Sequence, residues 1–282
     1  VNVVSVREPA SAVWLWIASD FHIGGADTDY DLISREVRHA KRLNALCVLN
    51  GDILDLILPG DRKRYAHSAP HPRVIVPDSV GEAVRWAAEL FEPVKGRIAA
   101  IGMGNHESAV LKHHSYDPVQ GLAEMLGAAD RYVGYEGWLT IRLNRSEASG
   151  SIAYRVYLHH GSGGASPVTL GLPGLQRRRP WLPEADMIAV GHCHNQIVAP
   201  VSRCRVRGAT VDQDECLLVM SGGYIKRLDS DGRRPSYAVV GGLGPQPRGG
   251  VFVRLETSMR TVESGRRAWK VAPREVVFGW SV

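Results

Sequence analysis

The sequence predicts an α/β fold in which a sheet built through helical crossovers is followed by a second, strand-rich sheet. Three observations predict it. Short apolar runs alternate with amphipathic helical periods over the first third of the chain, such periods become scarce afterwards, and a cluster of Asp, Asn or His follows several of the apolar runs.

Val13–Ala18 reads as a buried strand and Asp29–Asn44 as a helix, with Leu32, Ile33, Val37, Ala40 and Leu43 on one face. Ala45–Leu49 is a second short apolar strand, which completes a β-α-β unit. Ser79 is suited to cap a further helix carrying Val80, Val84, Ala87 and Phe91, Gly96 ends it, and Ile98–Ile101 is a third strand. The strands of this half are expected to run parallel. Beyond it Gly137–Leu143, Ile152–His159, Met187–Val190, Ile197–Arg207, Cys216–Met220 and Val251–Leu255 read as strands. The Pro/Gly-rich stretches 59–78 and 161–183 read as surface loops. No linker divides the chain, so residues 1–282 are expected to form one domain.

Composition narrows the class. A chain of 282 residues with 44% hydrophobic content can bury a large core. Val13–Ala18 is far too short to span a membrane, and no basic segment followed by a long apolar run marks a secretory signal. Cys47, Cys193, Cys204 and Cys216 lack a CxxC spacing, so a reducing, cytoplasmic setting is expected; Cys204 and Cys216 would pair only if they faced each other across a hairpin. The net charge of +5 favours anionic partners without selecting one.

Chemistry is concentrated where the apolar runs stop, since ligands of open α/β sheets collect at the carboxyl ends of strands. Asp20-Phe21-His22 follows the first strand, Gly51-Asp52-Ile53-Leu54-Asp55 the second and Gly104-Asn105-His106-Glu107 the third. His159-His160-Gly161 and Gly191-His192-Cys193-His194 follow two later ones. Each is weak alone. Together and in order, the four most specific have a chance expectation on the order of 10⁻⁷, so the constellation carries the reading. Mixed imidazole, carboxylate and amide ligands without thiolate suit Mn²⁺, Fe or Zn²⁺. Seven ligands are too many for one tetrahedral ion and fit two sharing a carboxylate, roughly 3.5–4 Å apart, as in phosphate-ester hydrolysis. With only Asp20 and Asp52 as carboxylates, two divalent ions would keep an excess of positive charge that attracts phosphate.

The ordered set D-x-H, G-D-x-x-D, G-N-H-E, H-G and G-H-x-H, from Asp20 to His194, resembles the calcineurin-like metallophosphoesterases. The resemblance implies a two-sheet β-sandwich flanked by helices, in four layers. It also implies that Asp20, His22 and His194 hold one metal, that Asn105, His160 and His192 hold another, and that Asp52 bridges. Phosphate esters would then be hydrolysed by a metal-bridging hydroxide, with His106 protonating the leaving oxygen and Asp55 orienting His106. Mn²⁺ is the first candidate metal, Fe and Zn the alternatives. His159 competes with His160 for the ligand position, and the His-Gly pairing favours His160. Glu107 reads as a support behind the ligands or as a helix-start residue, not as a ligand.

Leu56 stands where protein Ser/Thr phosphatases carry Arg, and Asp55 where purple acid phosphatases carry a Tyr ligand, which argues against both branches. Met220-Ser221-Gly222-Gly223-Tyr224-Ile225-Lys226, Tyr237-Ala238, Gly244-Pro245 and the HHGSGGA stretch are similar to metallophosphoesterases of phage and prophage genomes. A phosphodiester, in nucleic acid or a nucleotide, is the expected substrate and a small phosphomonoester the second. A reading of another class is a catalytically silent nucleic-acid-binding module, using Arg203, Arg205 and Arg207 with Arg177, Arg178 and Arg179 as a positive stripe.

Overall fold

Alternation within single strands sorts this chain into layers. The computed structural model describes residues 1–59, 70–145, 149–164, 166, 168–207, 209–226, 244–261 and 267–282. The chain runs through β1 (Asn2–Glu8), β2 (Ala12–Ala18), α1 (Tyr30–Arg42), β3 (Leu46–Asn50), α2 (Ser79–Phe91) and β4 (Ile98–Gly102). It continues through α3 (Asn105–His114), α4 (Pro118–Met125), β5 (Tyr132–Gly134), β6 (Glu136–Asn144), β7 (Ser151–His159) and α5 (Leu172–Gln176). β8 (Met187–Val190), β9 (Ile197–Arg207), β10 (Thr210–Met220), β11 (Val251–Thr261) and β12 (Arg267–Phe278) complete it.

Two mixed sheets result, one ordered β1-β6-β7-β8-β10-β9 and the other β12-β11-β2-β3-β4-β5. In β2 the period of two sends Leu15 and Ile17 into the core between the sheets, while Trp16 and Ala18 meet the helices. β3 does the same with Leu46 and Val48 against Cys47 and Leu49. Helices α1, α2 and α4 cover that outer face through residues such as Ile33, Val37, Ala87, Phe91 and Leu122. The far face of the other sheet carries Ile188, Val190, Leu218 and Met220, under Leu175 of α5. Fully burying each such Leu, Ile or Phe is worth about 1.5–3 kcal/mol, so the alternation fixes which face each strand turns inward. The architecture is the two-sheet α/β arrangement, flanked by helices, that the sequence predicts, but the sheets do not follow one another along the chain: β11 and β12 join β2, and β1 joins β6.

Most boundaries differ from the expected ones by a residue or two. Asp29 caps α1 by accepting from the Leu32 amide at 3.2 Å, and α2 is capped by Asp78, one residue before Ser79. A 3₁₀ turn over Glu92–Arg97, rather than a stop at Gly96, joins α2 to β4. The 161–183 stretch holds the short α5 and a 3₁₀ turn. Residues 60–69 of the 59–78 stretch, and Tyr237-Ala238, lie outside the described residues. Helix α4 had a readable signature: Asp117 accepts from Val119 and Gln120, each at 3.0 Å, and Pro118 opens the helix.

The β9–β10 register sets Cys204 opposite Gln213 and Cys216 opposite Val201, so the two cysteines do not face each other; all four are free thiols. No helix among the described residues is long and apolar enough to cross a membrane.

Candidate metal centre

Three strands of each sheet aim their carboxyl ends at one place. β2, β3 and β4 are mutually parallel in one sheet, as are β7, β8 and β10 in the other. The loops that leave them are tied by backbone hydrogen bonds: Asp20 N–H to Gly51 O (3.0 Å), His22 N–H to Asp52 O (3.1 Å) and Gly191 N–H to His160 O (2.7 Å). Asn50 spans the two sheets, its side-chain amide donating to the His159 carbonyl at 3.1 Å.

The chain must bend sharply for neighbouring side chains to converge here. Asp20, His22, Asp52, His192 and His194 have φ of 57°, 51°, 45°, 68° and 54°. They are five of the eight non-glycine residues with positive φ among those described, so the backbone strain, on the order of 1–3 kcal/mol per residue, is concentrated on the sequence-predicted ligands. Glycines make the close approach feasible. A Cβ on Gly104 would overlap the Asp52 carboxylate, one on Gly51 would lie 2.7 Å from His160 Nδ1, and one on Gly223 2.8 Å from His194 Nδ1.

Asp20, His22 and His194 form one group of ligand atoms. Asp20 Oδ2 accepts from the Ser19 hydroxyl, which sits 2.8 Å from Ser221 Oγ, and from the His192 amide at 2.8 Å. Asp20 Oδ1 is buried with no hydrogen bond, 3.3 Å from His194 Nε2. His194 Nε2 in turn faces His22 Nε2 at 3.3 Å. An unpaired carboxylate oxygen and two imidazole nitrogens pointing at one another are ill-matched as mutual partners and well matched as ligands of a cation.

Asp52, His160 and His192 form a second group. His160 Nδ1 pairs with the Asn50 carbonyl at 3.1 Å, which directs Nε2 inward. That Nε2 meets Asp52 Oδ2 and Asn105 Oδ1, each at 3.2 Å, so the amide oxygen of Asn105 joins the group. Asp52 Oδ1 accepts the His106 amide at 2.9 Å. All seven sequence-predicted ligands therefore lie in these two groups, and their donor atoms fit metal binding.

His159 lies outside both groups. Its Nδ1 accepts from Gly161 N–H at 2.8 Å and faces Arg178 at 3.5 Å, and burial together with Arg178 lowers its pKa to about 4.

Asp55 and His106 stand beside the first group and make a third group of ligand atoms with His22. Asp55 Oδ1 is 3.2 Å from His106 Nδ1 and 3.4 Å from His22 Nδ1, although neither nitrogen is aligned for a hydrogen bond. Burial disfavours the Asp55 carboxylate, yet the two imidazoles outweigh it and hold its pKa below the usual range. Burial likewise opposes a charged His106, but Asp52 and Asp55 raise its pKa to about 9. Asp20 is held down at about 2, burial being overcome by His194, and Asp52 is pulled lower still by His160 and His106.

Glu107, expected only to support the site, accepts from three buried amides: Leu54 (2.9 Å), Gly104 (2.8 Å) and Asp52 (3.2 Å). It thereby locks the loops after β3 and β4 together. Ser19 and Ser221 were not among the candidate site residues, and their contact across 202 positions marks them. Arg203 is committed elsewhere, to Asp214 at 2.6 Å and Asp186 at 3.4 Å, and is only 15% exposed. It offers little to a cationic stripe.

Fold and site together define a two-sheet α/β protein with a histidine and carboxylate centre at the carboxyl ends of its strands. No protein-family model and no curated protein matches the chain. Among solved structures it is similar to a conserved, predicted phosphoesterase from Streptococcus pneumoniae (16% identity, 93% of this chain and 98% of that one, TM-score 0.33). It is also similar to Vps29 complexed with Zn from Entamoeba histolytica (8% identity, 93% and 99%, TM-score 0.36) and to GAP50 of Plasmodium (11% identity, 95% and 90%, TM-score 0.42).

Proposed function

We propose that the protein is a metal-dependent hydrolase of phosphate esters that uses two cations, one held by Asp20, His22 and His194 and the other by Asn105, His160 and His192, with Asp52 between them. The observation that carries this reading is the unpaired Asp20 Oδ1 among facing imidazole nitrogens, next to a second group of the same character. Two bound cations would neutralise the ester's phosphate and make a water between them acidic. Mn²⁺ is the first candidate, Fe and Zn the alternatives.

His106 acts as proton donor to the leaving oxygen. Asp52 and Asp55 favour its protonated form before any cation binds, and its Nδ1 is turned to Asp55, which sets Nε2 toward the centre, 3.9 Å from Asp52 Oδ2. Leu56 is 5% exposed and supplies no cation at the position where a phosphoprotein phosphatase has Arg. A phosphodiester of a nucleotide or nucleic acid remains the favoured substrate, on the sequence resemblance, and a small phosphomonoester the second.

The test is hydrolysis of a chromogenic phosphodiester and the matching monoester with Mn²⁺, Fe²⁺ or Zn²⁺. Turnover of the diester that chelation abolishes is expected. Failure of both esters with every metal would refute the proposal.

A further inference from the structure

A second acid, outside the metal centre, is buried at the heart of the helical layer. Glu36, on α1, is 0% exposed, and its carboxylate takes four hydrogen bonds from three donors. Trp16 Nε1 and the Tyr224 hydroxyl each donate to Oε2 at 2.8 Å, while the Gly250 amide donates to Oε2 at 3.0 Å and Oε1 at 3.2 Å. Gly249 and Gly279 complete the cradle, since a Cβ on either would overlap Oε1. A buried carboxylate is costly, and one so fully enclosed calls for an account.

Its partners lead to one half of the centre. The Tyr224 amide donates to the Asp20 carbonyl at 3.0 Å, its carbonyl accepts from Asp29 at 2.7 Å, and its ring stacks on Phe21 with centroids 4.6 Å apart. Tyr224 thus holds the Asp20-Phe21-His22 segment at Asp20 and Phe21, and is itself tied to Asp29. Gly223, the preceding residue, lies against the His194 ring and takes the Gly249 amide on its carbonyl at 3.0 Å. Gln196, two residues beyond His194, donates to the Gly249 carbonyl at 2.7 Å. The segments that Glu36 holds, 223–224 and 249–250, therefore back Asp20 and His194 directly, and His22 through its neighbour Phe21. Among the hydrogen bonds described, none runs from Glu36 or Tyr224 to Asp52, Asn105, His160 or His192.

We infer that Glu36 is a positioning residue for one of the two metal sites, holding Asp20, His22 and His194 in ligand geometry through Tyr224 and the Gly249–Gly250 turn. This rests on the two-cation reading above. Hydrogen bonds link helix, turn and ligand loop, and the backbone at Asp20, His22 and His194 is in the left-handed region, a conformation that the surroundings must enforce. Loosening the cradle should relax those three residues and leave the other site intact.

Equilibrium dialysis of the full chain against Mn²⁺ tests this, using the wild type, Glu36→Gln, Tyr224→Phe and Asn105→Ala. Asn105→Ala removes a ligand of the opposite site and so assigns the two binding steps. Tyr224→Phe removes only the hydroxyl that reaches Glu36 and keeps the ring on Phe21, so it stands in if Glu36→Gln fails to fold. The expected result is that Glu36→Gln and Tyr224→Phe weaken one step by about 10- to 100-fold, and that this is the step Asn105→Ala spares. Equal weakening of both steps, or of neither, would overturn the inference. A wild type that binds no Mn²⁺ would instead refute the two-cation reading itself.

Discussion

Asp55 Oδ1 lies 3.2 Å from His106 Nδ1 and faces His22 Nδ1 as well, so one carboxylate serves both the proposed proton donor and a proposed metal ligand. The two partners predict different losses. His106→Ala should cut turnover of esters with poor leaving groups by about 10²- to 10⁴-fold, and of activated esters much less, while metal content stays unchanged. Asp55→Asn should reduce both turnover and the metal content of the site containing His22. Steady-state rates on a leaving-group series, with metal analysis of each variant, check this; equal losses on all esters for His106→Ala count against its role.

Glu107 satisfies three buried amides from two loops. Glu107→Ala leaves those donors unpaired, at about 1–3 kcal/mol for a buried group, and should lower stability by at least about 3 kcal/mol. Urea denaturation of the metal-free protein measures it. A change below about 1 kcal/mol would mean that water replaces the carboxylate.

Gly104→Ala puts a methyl group into the Asp52 carboxylate, which is itself fixed by the His106 amide. Metal affinity should fall by at least about tenfold, as it does when groups that orient ligands are disturbed. Gly96→Ala, with open space around its Cβ, is the matched control. Calorimetric titration with Mn²⁺ should separate the two, and identical isotherms would contradict the packing argument.

Glu36 also predicts a pH dependence of stability. Burial raises its carboxyl to about 7 from 4.5, against the hydrogen bonds of Tyr224, Gly250 and Trp16 and the charge of Arg35. Because the folded value exceeds the unfolded one, its contribution is complete below pH 4.5 and is lost as pH rises through about 7. The loss is at most on the order of 3 kcal/mol. Glu36→Gln should remove that part of the slope in melting experiments on the metal-free protein between these limits. An unchanged slope would place the titration elsewhere.

Much of this was legible because the ligand motifs sit where apolar runs end, and parallel strands carry their ends to one side. The choice of His160 over His159 needed more, since it turns on which imidazole meets the Asn50 carbonyl and which takes the Gly161 amide. Glu36 was invisible for a different reason. It lies on the apolar face of a helix, and two of its three donors come from positions 188 and 214 residues away in the sequence. Helix α3 was hidden because its inward face consists largely of site residues, His106 and Glu107 beside Val110, leaving little apolar period to read. Arg203 illustrates the opposite error: an alternating basic run reads as a free stripe until the register sets Asp214 against it.

The most direct measurement is a titration of the metal-free protein with Mn²⁺ in which bound metal and hydrolysis of a chromogenic phosphodiester are followed together. Two equivalents should bind, with hydrolysis appearing as the second site fills. Saturation of activity at one equivalent, or two equivalents bound without hydrolysis, would contradict the two-cation account.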